Sequence, residues 1–560
     1  MDSHFTVECI DCHHQTSFHP SSQTCPNCGS AWRAARYDYQ AIAKTLPGLI
    51  QNRPFDIWRY RELLPIQKPN FDLTLSEGGT PLIRAANLGM ILSHQKIFMK
   101  DERQGPTASF KDRQAAVTIS ALKEAGISEA VIASTGNVAI AYSAYAARAG
   151  IKLWAFLTSL VPSSKMREVA LYGTQVIKVT GSYDQAKQVA AQFAQQRGIY
   201  LDAGARSVTC IEAMKTIAFE LAEQLGKNTV RNDSASLASA PPWQAPDWYL
   251  QAVSGGMGPL GVYKGFIELY QLGFIDRIPK IGVIQVEGCA PMVHAWKQDR
   301  DTAAPVLSPR TLIATLATGD PGKTYTHLYH HIKSTGGTFE SVSDQEAFRC
   351  IHFLAKMEGL SVEPAAAVAF AGLIKLVRSG RITPDETVVV NVSGHTMPVE
   401  RNILGEGWSK DLVLPSEQMD ESQEEGLLAA LSKVAIDRFP RIAIVDDNPD
   451  VRRLIRRILQ AQGNYELFEA VNGLEAVNLV KRELPNLVIL DLMMPELDGF
   501  GVMEALQADP ATADIPIIVV TAKELTPAEK KRLNGHIQTL MQKGDFLSDD
   551  LLDEVRAFLK

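Results

Sequence analysis

The sequence of 560 residues holds no apolar run approaching the ~18 residues that cross a bilayer. Its best stretch, Pro364 to Ile374, is short and lies between Glu363 and Lys375. A basic n-region is missing as well: the first residues carry Asp2 and Glu8, which is not the pattern of a signal peptide. The expectation is a cytoplasmic protein. Basic charge is not in excess, with 56 Lys and Arg against 63 Asp and Glu, net −7. That excludes a general basic field for nucleic acid. Cysteine is sparse, seven in all, where a secreted disulfide framework would be dense. No repeat of fixed period is visible.

What is present is an ordinary globular mixture. Hydrophobic residues make up 46% and charged residues 21%, and at roughly 150 residues per domain the length suggests three or four domains. The acid is concentrated at one end. Residues 439–560 hold 14 basic and 20 acidic side chains, whereas the first 438 are nearly balanced.

Composition divides the chain into four parts. Residues 1–35 are rich in Cys, His and Ser. Residues 36–410 alternate strand-like and helical stretches, such as Ala130–Ala133 before Ala139–Ala149 and Gln175–Val179 before Tyr183–Gln196. That alternation predicts parallel α/β sheets. Within it, Asn228–Pro246 reads as an exposed loop or insertion. Residues 411–438 read as an acidic linker, with five acids and no base between Pro415 and Glu425, then a short amphipathic helix over Gly426–Arg438. Residues 439–560 form a second α/β block, with strands expected near Ile442–Val445, Leu487–Leu490, Ile515–Val520 and Ile537–Met541.

Cys9-x2-Cys12 and Cys25-x2-Cys28 are two tight turns that each aim two thiolates at one point. Together they offer the four sulfurs of a closed, structural zinc site. A segment this short cannot bury a core of its own, so metal would supply its folding energy. His13 and His14 adjoin Cys12, but four thiolates already complete the set.

Lys111 follows a Pro/Thr/Ser turn and precedes a helical run over Asp112–Ala125. A helix N-terminus disfavours the ammonium and favours the neutral, nucleophilic amine. The surrounding stretch, Lys100-Asp-Glu-Arg-Gln-Gly-Pro-Thr-Ala-Ser-Phe-Lys111-Asp-Arg113, resembles the active-site lysine motif of threonine synthases, within the fold type II pyridoxal-phosphate enzymes. Other pieces match in order: Ser76-Glu-Gly-Gly-Thr-Pro-Leu82, Ser134-Thr-Gly-Asn137, Val253-Ser-Gly-Gly-Met-Gly-Pro-Leu-Gly261, Glu363-Pro-Ala and Val392-Ser-Gly-His395. Trp58-Arg-Tyr-Arg-Glu-Leu-Leu-Pro65 and the cysteine turns also occur at the start of some threonine synthases.

The resemblance implies a two-lobed, tryptophan synthase β-like fold and pyridoxal 5′-phosphate as cofactor. It implies that Lys111 carries the cofactor and that Asn137 hydrogen-bonds its 3′ hydroxyl. Ser254, Gly255, Gly256, Met257 and Gly258 would wrap the phosphate, where small residues let backbone N–H groups approach. Ser393 would meet the ring nitrogen. Ser134, Thr135 and Gly136 would bind the substrate carboxylate at a helix start. His395 receives no catalytic role. Two departures stand out: Met257 occupies a position often held by glycine, and Thr396-Met397-Pro398 replaces the usual Gly-Leu-Lys.

In the last block, Asp446 and Asp447 end one strand, Asp491 a second, and Thr521 a third, while Lys543 follows a fourth. Three acids at the carboxyl ends of parallel strands need a cation, and Mg2+ fits oxygen ligands. Residues 439–560 resemble the receiver domain of two-component response regulators, of flavodoxin-like (βα)5 fold. Asp491-Leu-Met-Met-Pro495-Glu-Leu-Asp-Gly499 matches the phosphoacceptor loop. The resemblance implies phosphorylation of Asp491. It further implies Mg2+ on Asp446, Asp447 and Asp491 with a carbonyl near Met493, a switch at Thr521, and an ion pair from Lys543 to the phosphoryl group. Gly544 stands where proline is usual, and Leu540 where an aromatic is common.

The whole reads as a threonine synthase-like lyase regulated through a phosphorelay. Its partners would be an amino-acid substrate and a sensor histidine kinase or phosphotransfer protein, with no nucleic acid and no membrane, and with a homodimer left open. Two alternatives remain at this level: another fold type II reaction, such as β-replacement or dehydration, or a signalling protein whose enzyme fold binds a ligand without turnover.

Overall fold

The computed structural model describes residues 4–134, 136–158, 161–180, 183–230, 243–395, 440–462, 465–522, 525–533, 537, 539–542 and 549–559. The expected linker and its helix, and Lys543, lie outside these. The chain divides into two compact units, one built mainly from residues 1–397 and the other mainly from residues 398–560.

The first unit begins with a small antiparallel sheet, β1 (Phe5–Cys9), β2 (Gln15–Thr16) and β3 (Arg33–Tyr37), in the order β2-β1-β3. β3 runs across the expected boundary at residue 35. Phe5, Val7, Trp32, Ala35 and Tyr37 are buried in the same apolar cluster as Met214, Phe219 and Phe266 of the enzyme body. The cysteine segment therefore shares a core rather than standing apart.

Two α/β sheets follow. The larger has the order β12-β11-β10-β13-β5-β4, from β4 (Leu82–Arg84), β5 (Ile97–Asp101), β10 (Trp248–Ala252), β11 (Lys280–Val286), β12 (Thr338–Val342) and β13 (Val388–Val392). Its neighbours are parallel except for β4, which pairs antiparallel with β5. The smaller, β8-β7-β6-β9, is parallel throughout and contains β6 (Glu129–Ser134), β7 (Lys152–Thr158), β8 (Gln175–Val179) and β9 (Tyr200–Leu201).

The helices that matter for the site are α1 (Lys111–Glu124), α2 (Asn137–Ala149), α3 (Ser163–Leu171), α4 (Val208–Val230), α5 (Met257–Gln271), α6 (Lys323–Thr335) and α7 (Pro364–Arg378). α4 and α5 cross closely because Gly261 and Gly265 carry no side chain; a Cβ at Gly261 would lie 2.4 Å from Met214 Cβ. The apolar run at Pro364 forms buried α7, and no helix among the described residues is long and apolar enough to span a membrane. The expected loop at 228–246 differs at both ends. α4 extends to Val230, and Trp243 is buried edge-on against Phe274 at 5.0 Å.

The second unit is a five-stranded parallel sheet of order β15-β14-β16-β17-β18, from β14 (Arg441–Val445), β15 (Glu466–Ala470), β16 (Leu487–Leu490), β17 (Ile517–Thr521) and β18 (Thr539–Gln542). Apolar clusters cover both faces, which is why its strands read as continuous hydrophobic runs.

Candidate active site and metal centres

A cavity of ≈ 690 Å³ in the first unit is lined by Lys111, Asn137, Ser254 to Gly258, Glu363 and Ser393, among others. Five segments well separated in sequence meet there.

Lys111 is the first residue of α1. The turn before it is pinned by Asp112, whose carboxylate accepts from Thr107 N (3.0 Å) and Thr107 Oγ1 (2.6 Å). Burial raises the Asp112 carboxyl to about 7. The Phe110 amide donates to the Ser393 carbonyl (3.1 Å), tying the lysine turn to the end of β13. Burial lowers the Lys111 amine to about 8, against the opposing pull of Cys210, Asp202 and Glu363. Two residues on, in the same first turn of α1, Arg113 is buried and donates to Glu102 and Glu220, while Lys100 also donates to Glu220 (2.7 Å).

The Ser254–Gly258 loop joins β10 to α5. Gly256 has φ +84°, and a Cβ there would lie 2.7 Å from Leu328 Cδ1. The demand for glycine thus falls on position 256, and Met257, the first helical residue, is tolerated. The leading N–H groups of a helix have no intrahelical partner and attract an anion. Ser254 Oγ is hydrogen-bonded to Thr318 Oγ1.

Asn137 opens α2 and is held between Glu363 and Lys165. Ser134 is turned differently: its Oγ accepts from the backbone of Gly136 (3.0 Å) and Ala139 (3.1 Å), capping α2 from a buried position. Gly136 sits at the helix start with φ +139°, and Thr135 lies outside the described residues. Glu363, Lys165, Thr318 and Trp32 are additions to the sequence-derived set. Of these only Glu363 carried a signal, the Glu-Pro-Ala motif.

The donor set suits pyridoxal phosphate group by group: an amine of lowered basicity for the aldehyde, a helix start for the phosphate, an amide for the phenolic oxygen and a hydroxyl for the ring nitrogen.

The four cysteine sulfurs lie within 4.8 Å of one another, with Cys9–Cys28 at 3.5 Å and Cys12–Cys25 at 3.7 Å. A tetrahedron with Zn–S bonds of ~2.3 Å has sulfur–sulfur edges of about 3.8 Å, so the cluster is compatible with zinc. The segment is also stitched to the cavity. Trp32 lines it, with its ring 4.7 Å from His327 of α6, and Asp11 pairs with Lys323 at 3.1 Å. From β3, Ala35 N donates to Glu212 of α4 (3.2 Å), and Lys264 of α5 donates to Ala35 O (3.3 Å).

In the second unit, Asp446 and Asp447 follow β14, Asp491 follows β16, and Thr521 ends β17, all at the carboxyl edge. The three carboxylates come within 4.8 Å of one another. Asp446, Asp491 and Thr521 are buried, while Met493 beside them is exposed. Met493 N donates to Asp491 Oδ1 at 3.2 Å. The cluster suits a divalent cation with oxygen ligands.

Residues 73–394 match the pyridoxal-phosphate dependent enzyme family, and residues 442–556 match the response regulator receiver domain. The chain belongs to the pyridoxal-phosphate dependent enzymes, as a lyase of the fold type II class that carries a C-terminal receiver domain. It is 34% identical to a threonine synthase of Methanocaldococcus jannaschii, over 69% of this chain and 91% of that protein. It is 33% identical to a threonine synthase of Methanosarcina acetivorans, over 71% and 94%. Among solved structures, diaminopropionate ammonia lyase from Escherichia coli superposes with a TM-score of 0.48 at 15% identity, covering 66% of this chain and 92% of that one.

Proposed function

We propose that the enzyme converts O-phospho-L-homoserine and water to L-threonine and phosphate, and that phosphorylation of its receiver domain regulates this reaction. The reading is carried by one observation: Lys111, Asn137, the Ser254–Gly258 loop and Ser393 line a single cavity in a chain that parallels threonine synthases over nearly their whole length.

Pyridoxal phosphate, when bound, supplies the electron sink that makes protons at Cα and Cβ of an amino acid removable. Lys111 holds the cofactor and moves those protons, because its lowered amine exchanges them near neutral pH. The start of α5, with Ser254 to Gly258, binds the cofactor phosphate. Asn137 and Ser393 orient the ring. Ser134, Thr135 and Gly136, which precede α2 in the chain, receive the substrate carboxylate, with the Ser134 hydroxyl also capping α2. Phosphate leaves from Cγ, and water adds at Cβ. The Cys9, Cys12, Cys25 and Cys28 cluster holds structural zinc. In the receiver, Asp446, Asp447 and Asp491 hold Mg2+, Asp491 accepts a phosphoryl group from a histidine kinase or phosphotransfer protein, Thr521 switches, and Lys543 pairs with the phosphoryl group.

Release of phosphate and threonine from O-phosphohomoserine by the cofactor-loaded protein tests the reaction, and absence of turnover overturns it. Repeating the assay with an acyl phosphate donor should change the rate for the wild type and leave Asp491→Ala unaffected. An equal response of both proteins would remove the receiver from control.

Zinc extraction by a chelator is expected to destabilise the enzyme unit by about 4 kcal/mol at free zinc ~1,000-fold above its Kd. Loss of the site would release β3 from the shared core. Denaturant unfolding with and without chelator measures this, and coincident curves would refute a structural metal.

A further inference from the structure

We infer that Lys165 is a positioning residue for the cofactor, acting by fixing the orientation of the Asn137 side-chain amide. Lys165 lies on α3, and its Nζ donates to Asn137 Oδ1 at 3.0 Å. On the other side, Asn137 Nδ2 donates to both carboxylate oxygens of Glu363 at 3.0 Å. Lys165 and Glu363 are themselves 3.7 Å apart, with side chains 15% and 5% exposed.

An amide between an ammonium and a carboxylate has one acceptable orientation. Reversed, it would set Oδ1 against the Glu363 carboxylate and Nδ2 against the Lys165 ammonium, two repulsions in a half-buried site. Nδ2 carries two N–H groups. Glu363 draws one, and the other is left to donate into the cavity, to the phenolic oxygen of pyridoxal phosphate. Without Lys165 only Glu363 opposes reversal, so the preference that keeps a donor toward that oxygen is weakened.

Two glycines leave room for this arrangement. A Cβ at Gly394 would lie 2.6 Å from Glu363 Oε1 and 3.2 Å from Asn137 Nδ2, and a Cβ at Gly136 would lie 3.3 Å from Lys165 Cδ. Lys165 is not among the residues that line the cavity, so its influence passes through Asn137.

The test is a cycle of pyridoxal-phosphate dissociation constants, measured by absorbance titration of full-length apoprotein. The four proteins are wild type, Lys165→Met, Asn137→Ala and the double variant. Lys165→Met should weaken binding about tenfold, the scale of one charge-assisted hydrogen bond. The double variant should match Asn137→Ala within about twofold, because Lys165 has nothing left to orient. Lys165→Arg, which keeps the charged donor, should retain most of the affinity.

The inference is overturned if Lys165→Met binds the cofactor as tightly as wild type, or if it weakens binding equally in the Asn137→Ala background. Should Lys165→Met fail to fold, Lys165→Ala serves under the same criteria. No turnover is measured, so the outcome is independent of the substrate assignment.

Discussion

Replacing Lys111 with alanine is expected to lower turnover by about 10³-fold or more, the scale of a lost acid–base and covalent group. The visible absorbance of the lysine-bound cofactor should vanish with it. The protein itself should remain folded, because an ammonium held below its ordinary basicity by burial contributes no stability near neutral pH. The sign follows from the titration. A free lysine titrates near ~10.4, and Lys111 near 8. Below pH 8 the folded state holds a buried charge that the unfolded chain keeps in water. This cost falls as pH rises through 8 toward 10. With Lys111 in its proposed role, the same titration would set cofactor capture, since only the neutral amine attacks an aldehyde. Stopped-flow uptake of pyridoxal phosphate by apoprotein should accelerate with a midpoint near pH 8. A midpoint near 10 would mean that Lys111 is solvated like a surface lysine.

The second large effect concerns stability. Arg113 stands two residues beyond Lys111, in the first turn of α1. Its guanidinium reaches Glu102 at 2.8 Å and Glu220 at 2.5 Å, and all three side chains are at most 2% exposed. Burial alone would raise Glu220, but Arg113 and Lys100 overcome it and hold the carboxyl down to about 2. Arg113→Met leaves two buried carboxylates facing Lys100 alone. Breaking a buried ion pair from one side costs about 3–5 kcal/mol, and the enzyme unit should lose stability on that scale in urea unfolding. The wild-type contribution of Glu220 is present above its ordinary value of 4.5 and fades as pH falls toward 2. The difference between wild type and variant should therefore narrow in acid. A loss under 1 kcal/mol at pH 7 would show that the network is offset by its own desolvation.

Much of the site was legible because its chemistry is written locally. The turn before Lys111 and the helical spacing after it sit side by side in the chain, as do the glycines before α5. In the receiver the acids directly terminate apolar strands, so strand recognition and site recognition are one step. What was not legible depends on sheet order. β13 lies beside β5, and this brings Ser393 to Phe110 across nearly 300 residues. Glu363 meets Asn137, 226 residues away, through a rotamer that no periodicity reports. Lys165 looks like any helix-surface lysine until Asn137 is seen opposite. Trp32 reads as part of a metal segment, and only the shared core turns it toward the cavity. The loop expected at 228–246 differs at both ends, and at its far end for the same reason: composition says little about a tryptophan whose partner, Phe274, lies elsewhere.

The stitching of β3 into the enzyme body also sets an order of events during synthesis. Ala35 waits for Glu212, 177 residues later, and for Lys264, 229 residues later. At ~5–20 residues per second, the first strands spend on the order of ten seconds or more outside the ribosome before their partners exist. During that interval Phe5, Val7, Trp32 and Tyr37 have no core to enter. The four thiolates are already complete, however, because their ligands span only Cys9 to Cys28. Early metal capture would hold this strand-rich segment in its final shape and keep its apolar side chains from pairing with a neighbouring nascent chain.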